Sequence, residues 1–418
     1  MNRPTPDEMK TLRLAALALA AACAPVPASS PAPPEPPWVR PGVEVFLESP
    51  PAAVLGKRVG LVTNQTGVDR ARTLTIDRLA ASDQLELVAL FSPEHGIRGA
   101  AAPGEKVASG TDERTGLPIH SLYGDTRRPT PEMLRGVEAL VFDIQDIGAR
   151  PYTYVYTMAL AMQAAAGARI PFVVLDRPNP INGVVVEGNQ LDTAFATFVG
   201  MYPIPVRHGM TAGELAQLFN REFGIGAELV VVPAEGWRRE AWFDRTGLPW
   251  VPPSPNIPRL ESAIHYPGTV FFEGTNLSVG RGSSHPFEQV GAPWLDAFEI
   301  AREMNGRRLP GVRFEAVGFT PQDPGDRKFA GQPLRGVRLV VTHRDAYRPV
   351  STSLVLLDAI FRRHREEFQW LRSHFDRLAG TDQLRLAVEA DDLAEVLLDW
   401  EEEAERFAET RKPYLLYP

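Results

Sequence analysis

From residue 43 onward, short aliphatic and β-branched runs alternate with stretches whose apolar residues recur at helical spacing. The runs at 58–63, 86–91, 139–143, 171–176 and 229–232 predict strands, and the patterns at 153–166 and 211–223 predict helices between them. Strands alternating with helices make an α/β fold with a Rossmann-like, mostly parallel sheet. Thr211 followed by Glu214 is a capping box, which sets the start of the second helix. Beyond the proline-rich stretch at 249–258 the texture changes. A glycine- and serine-rich segment at 273–285 precedes a predicted helix at 294–305, strands at 312–317 and 338–342, and helices at 352–361, 369–378, 384–390 and 391–409. This predicts a catalytic domain over 43–258 and a smaller C-terminal α/β domain over 259–418 that completes a cleft.

Four of the predicted strands end in polar residues, and in a parallel sheet those ends share one edge, where a crevice forms. Asn64 follows the first. Glu94 and His95 follow the second in the segment S-P-E-H-G, a carboxylate beside an imidazole, both able to transfer protons. Asp143, Asp146 and Arg150 follow the third, and Arg177 and Asn179 lie in a proline-stiffened loop after the fourth. Such groups hold sugar hydroxyls or an anion, or else cap helices and bond loops. Glu187 in V-E-G, His208 before the capped helix, and Glu273, Asn276 and Arg281 in the glycine-rich segment complete the set.

The front of the chain is of a different kind. Arg3, Lys10 and Arg13 precede an apolar run at 14–22, which is too short for a bilayer that needs roughly 20 residues. It reads as a secretory signal. The chain's one cysteine, Cys23, follows the run and resembles the acylated cysteine of a lipobox; an ordinary signal cut nearby is the alternative. Eight prolines between 24 and 41 suit an extended spacer, so the linker is placed at 24–42. The expectation is an exported protein of the periplasm or cell envelope, held to a membrane by lipid.

Composition removes several classes. A single cysteine leaves no intrachain disulfide and no multi-thiolate zinc site, and a net charge of -8 gives no footing for nucleic acid. No G-x-G-x-x-G, Walker or G-x-S-x-G motif occurs, so neither a nucleotide cofactor nor a serine elbow is implied. Carboxylates and arginines around one cleft are what glycoside hydrolysis needs. A non-catalytic binding lipoprotein and a metal-dependent hydrolase use the same residue types.

The segments FSPEHGIRG (91–99), FDIQDIGARPYTYVYTM (142–158), DRPNPINGVVVEG (176–188), PVRHGMTAGELA (205–216), PPSPNIP (252–258) and YPGTVFFEGTNLSVGRGSSHPFEQVGAPW (266–294) resemble the bacterial exo-β-N-acetylmuramidases of the NamZ type. The resemblance implies a cofactor-free enzyme with no metal that removes terminal N-acetylmuramic acid from the non-reducing end of peptidoglycan fragments such as MurNAc-GlcNAc, in cell-wall turnover and recycling. It implies Glu94 as general acid, Glu187 as second carboxylate, and His95 as the group that orients Glu94. Asp143, Asp146 and Glu273 would bind sugar hydroxyls or the acetamido group, any of them able to take the second role instead. Arg150, Arg177 or Arg281 would read the lactyl carboxylate of the muramic residue.

Overall fold

The computed structural model describes residues 38–98, 105–106 and 108–418; Cys23, the predicted signal and most of the proline-rich spacer lie outside them. The strands run in chain order as β1 Arg58–Thr63, β2 Glu86–Ser92, β3 Gly110–Thr111, β4 Pro118–Ser121, β5 Ala139–Asp143, β6 Phe172–Leu175, β7 Glu187–Gln190, β8 Pro205–Arg207, β9 Leu229–Val232, β10 Gln289–Ala292, β11 Val312–Phe319 and β12 Leu334–Val341. Seven of them form one sheet in the order β3-β4-β2-β1-β5-β6-β9, parallel throughout except for the edge pair β3 and β4.

The central strands are buried on both faces, which is why they read as unbroken apolar runs. Their side chains alternate between two packing layers. Leu140, Phe142, Phe172 and Val174 join the helices Tyr154–Ala168 and Ala212–Glu222; Ala139, Val141, Val173 and Leu175 join the helices Gly42–Glu48 and Thr75–Ala80. The capping box is present: Thr211 Oγ1 accepts from Glu214 N at 3.2 Å, and Thr211 N donates to Glu214 Oε2 at 3.0 Å.

The end of the expected spacer is docked rather than extended. Val39 N donates to Thr246 O at 3.1 Å, Arg40 bridges to Glu235, and Gly42 N donates to Asp176 O at 2.9 Å. A side chain at Gly42 would meet Asp176 N at 2.4 Å, so the chain can lie against the sheet only with glycine there. Several elements carry no clear pattern: the short edge strands β3 and β4, the two-stranded antiparallel pair β7 and β8, β10, and the helices Gly42–Glu48, Thr75–Ala80 and Leu260–Thr269.

The second half carries an antiparallel three-stranded sheet, β10-β12-β11, with the helices Leu260–Thr269, Ala297–Gly306 and Pro349–Arg363. Its core is continuous with that of the first half, since one cluster of buried apolar residues includes Val62 and Phe142 as well as Leu357 and Phe407. The last residues return to the first sheet, where Tyr417 Oη donates to Asp176 Oδ2 at 2.6 Å and Leu416 N donates to Glu214 Oε1 at 2.8 Å.

Gly268 marks the closest approach of two helices in that core. A Cβ there would lie 1.9 Å from Pro349 O and 2.4 Å from Ser353 Oγ. Gly268→Ala is expected to cost roughly 1–3 kcal/mol, seen as a lower thermal midpoint in calorimetry; an unchanged midpoint would mean the helices separate freely.

Candidate active site

Strand β2 delivers the first acid. Leu122 N donates to Ser92 O at 2.8 Å, Pro93 then removes a donor, and Gly96 N closes a turn on Pro93 O at 3.1 Å. His95 and Gly96 both take left-handed backbone, with φ of 70° and 79°. The histidine adopts it at a steric cost that glycine escapes. The turn leaves His95 buried and turns the half-buried Glu94 into a cavity of about 350 Å³ that both residues line. Thr153, which opens the helix Tyr154–Ala168, places its Oγ1 3.4 Å from Glu94 Oε2. Tyr123 hydrogen-bonds the same carboxyl. Burial first, then the charge of Glu94, pushes its phenol up to about 12, so it stays a proton donor at neutral pH.

A second acid enters the cavity from the other half of the chain. Glu273 sits in the 3-10 turn Val270–Gly274 and accepts from Arg281 Nε at 2.5 Å. Burial lowers and the Glu273 charge raises the Arg281 guanidinium, with a net rise. Lys328 holds the loop beneath: its Nζ donates to the backbone oxygens of Glu273 at 2.9 Å, Thr275 at 2.6 Å and Leu277 at 3.1 Å. Aromatic rings form the wall between the acids. Tyr152 meets Tyr154 and Tyr266 edge-on at 5.1 and 5.6 Å, and Tyr266 meets Phe287 at 4.7 Å. Burial holds the phenols of Tyr152 and Tyr266 well above their ordinary range, Glu94 and Asp146 adding to the effect.

Of the residues the sequence singled out, the structure brings Glu94, His95, Glu273 and Arg281 together in this cavity. The others stand elsewhere. Glu187 lies outside it on β7, buried against Arg207 Nη1 of β8 at 3.2 Å, and faces a separate apolar groove. The expected crevice along the strand ends is filled from within between β1 and β5. Arg177 forks onto Asp143 at 2.5 and 2.9 Å and Thr75 Oγ1 donates to Asp143 at 2.5 Å, and the hollow that Arg177 lines holds about 10 Å³. Neither Asp143 nor Arg177 is therefore open to a ligand. Asn64 Oδ1 is taken by Thr66 N at 2.9 Å and Thr66 Oγ1 at 2.6 Å. Asn179 Nδ2 donates to Met210 O at 2.9 Å and its Oδ1 accepts from Ile181 N at 3.1 Å. Asn276 ties its loop to the backbone of Glu367 at 2.8 Å and Gln369 at 2.9 Å.

Arg150 is wholly buried and donates to four backbone oxygens, those of Asn189 (2.7 Å), Ile204 (3.1 Å), Leu378 (3.3 Å) and Ala379 (2.6 Å), joining the two halves. Burial lowers its guanidinium to about 10. His208 is buried, its Nδ1 accepts from Met210 N at 3.2 Å and its Nε2 stands 3.7 Å from Asp146 Oδ2. Asp146 also accepts from Gly148 N at 2.7 Å, a loop-turn bond, and does not line the cavity.

Sequence reading missed Tyr123, Arg127, Tyr152, Thr153, Tyr154, Tyr266, Phe287, His374, Arg377 and Lys328. The run at 151–156, with three tyrosines in five residues at the start of a helix, was the one available signal, since tyrosines that share a buried wall need polar surroundings. Lys328 carries no pattern of its own.

The N-terminal and C-terminal family profiles described as exo-beta-N-acetylmuramidase NamZ match residues 59–261 and 264–417. The chain is 47% identical over 383 residues to the peptidoglycan beta-N-acetylmuramidase NamZ of Bacillus subtilis strain 168, covering 91% of this chain and 92% of that protein. Two crystal structures of DUF1343 family proteins from Bacteroides fragilis are also similar. One has a TM-score of 0.84 at 35% identity, covering 92% of this chain and 100% of the other; the second has 0.70 at 30%, covering 91% and 99%.

The four carbonyls held by Arg150 give it a structural task that can be measured. Arg150→Met is expected to lower stability by roughly 3 kcal/mol in urea unfolding, because buried acceptors lose their donors. Full stability with lost turnover would instead mean that Arg150 meets substrate.

Proposed function

The chain belongs to the exo-β-N-acetylmuramidase family, and from that membership we propose that its cavity hydrolyses the terminal, non-reducing N-acetylmuramic acid of peptidoglycan fragments. The observation that carries the reading is the pairing of Glu94 and Glu273 in one aromatic-walled cavity. Glycoside hydrolysis needs a carboxylic acid to protonate the leaving oxygen and a second group to assist at the anomeric carbon. Glu94, met by the hydroxyls of Tyr123 and Thr153, is the proton donor to the glycosidic oxygen. Glu273 is ion-paired with Arg281 on the cavity wall, a placement that suits a base, a nucleophile or a stabiliser of the cationic transition state. Glu273 therefore takes the second role that the V-E-G motif had suggested for Glu187.

Size supports action at a chain end. At about 350 Å³ the cavity stands at the small end of ligand pockets, which run roughly 300–1,000 Å³, and it suits a terminal sugar better than a long glycan. The tyrosines offer apolar faces for the ring and hydroxyls for its polar edge. Export and lipid anchoring at Cys23 are part of the same proposal, supported by the basic flank, the apolar run and the position of the cysteine after it.

Glu94→Gln is expected to lower kcat on a chromogenic N-acetylmuramide by at least about 100-fold with little change in KM, since a positioned general acid contributes roughly 10²–10⁴-fold. Glu273→Gln should fall by a similar order, while Glu187→Gln should lose mainly stability. Turnover that survives Glu94→Gln would remove the acid from this reading. Cys23→Ser is expected to move the protein from the membrane fraction to the soluble one, as loss of an acyl anchor requires; unchanged fractionation would refute the anchor.

A further inference from the structure

With Arg150 and Arg177 spent inside the protein and Arg281 on Glu273, the substrate's own carboxylate needs another partner. N-acetylmuramic acid bears a lactyl ether two ring carbons from the bond being cut, so a cation for it belongs at the cavity wall beside the proton donor. Two exposed arginines line the cavity, Arg127 and Arg377. Arg377 lies on the helix Arg372–Ala379 and gives its Nε to Ser373 O of that helix at 2.8 Å.

Arg127 is placed differently. Its guanidinium carbon stands 4.1 Å from the ring centre of Phe198 and 5.6 Å from that of Tyr123. Tyr123 is the residue that hydrogen-bonds Glu94. Among the described residues no carboxylate forms a salt bridge with Arg127, and its guanidinium rests on the two aromatic rings instead. A planar fork presented edge-on is the geometry that binds a carboxylate with two parallel hydrogen bonds.

We infer that Arg127, held against Phe198 and Tyr123, is the specificity residue that binds the lactyl carboxylate of the muramic acid residue. The inference rests on the glycosidase reading of the same cavity. In this arrangement the carboxylate's grip on Arg127 sets the ring so that its glycosidic oxygen meets Glu94, and a glucosamine residue, which lacks the lactyl group, forgoes that contact.

The test separates binding from turnover. Titration calorimetry would measure the affinity of wild type, Arg127→Gln, Arg127→Lys and Arg377→Gln for N-acetylmuramic acid and for its lactyl amide, alongside kcat/KM on the chromogenic muramide. Wild type should prefer the acid by about 10- to 100-fold, as charge-assisted hydrogen bonds allow. Arg127→Gln should bring that preference to within about twofold of unity, Arg127→Lys should keep part of it, and Arg377→Gln should leave it intact. Because Arg127 is exposed, the thermal midpoint should stay near that of wild type. A preference retained in Arg127→Gln, absent from wild type or abolished by Arg377→Gln would overturn the inference. Wild type that prefers the acid through Arg127 yet hydrolyses no muramide would leave the carboxylate subsite standing and strike the glycosidase reading instead.

Discussion

Burying a charge without a partner costs several kcal/mol, and this constraint governs how the motif residues divide between structure and site. Arg177 is met by Asp143, Arg207 by Glu187, Arg239 by Glu214, and Arg150 by four backbone oxygens. Each pairing leaves the arginine satisfied inside the protein. Arg411 does the same near the C-terminus, donating to the oxygens of Gly183 at 2.9 Å and Val184 at 2.8 Å. The charged groups that remain to meet a substrate are those that line the cavity, Glu94, Glu273, Arg281 and Arg127 among them.

The cavity depends on both halves of the chain. Glu94 comes from the parallel sheet and Glu273 from a turn more than a hundred residues later, and neither half brings two acids to it alone. Arg150, the shared apolar cluster and the returning C-terminal segment hold the halves in one arrangement. Rigid support of this kind matters for hydrolysis, since small displacements between acid and reacting bond are costly. Lys328 extends the principle to the turn itself, because one ammonium gathers three carbonyls that would otherwise point apart.

Parallel sheets of this class usually place their ligands where the connections from adjacent strands diverge, here between β1 and β5. That position is occupied by the Asp143–Arg177 pair, and the open cavity lies beyond the end of β2 instead. The shift explains why polar residues at four strand ends looked equivalent in the sequence and are not equivalent in space.

The chain's own pattern determined the strands β1, β2, β5, β6 and β9, the capped helix after Thr211 and the α/β class, because burial on both faces forces unbroken apolar runs and a capping box is a local hydrogen-bond code. It also singled out Glu94 and His95, which the structure places on the cavity wall, since the proline and glycine around them make a turn at a strand end. Tertiary structure alone decided that Glu273 and not Glu187 shares the cavity, that Arg150 and Arg177 are internal, that Arg127 and Tyr123 line the cavity and that Lys328 ties the Glu273 turn. Pairing of charges and contact between segments far apart in the chain are set by the packed fold, and no spacing along the sequence encodes which arginine will meet which carboxylate.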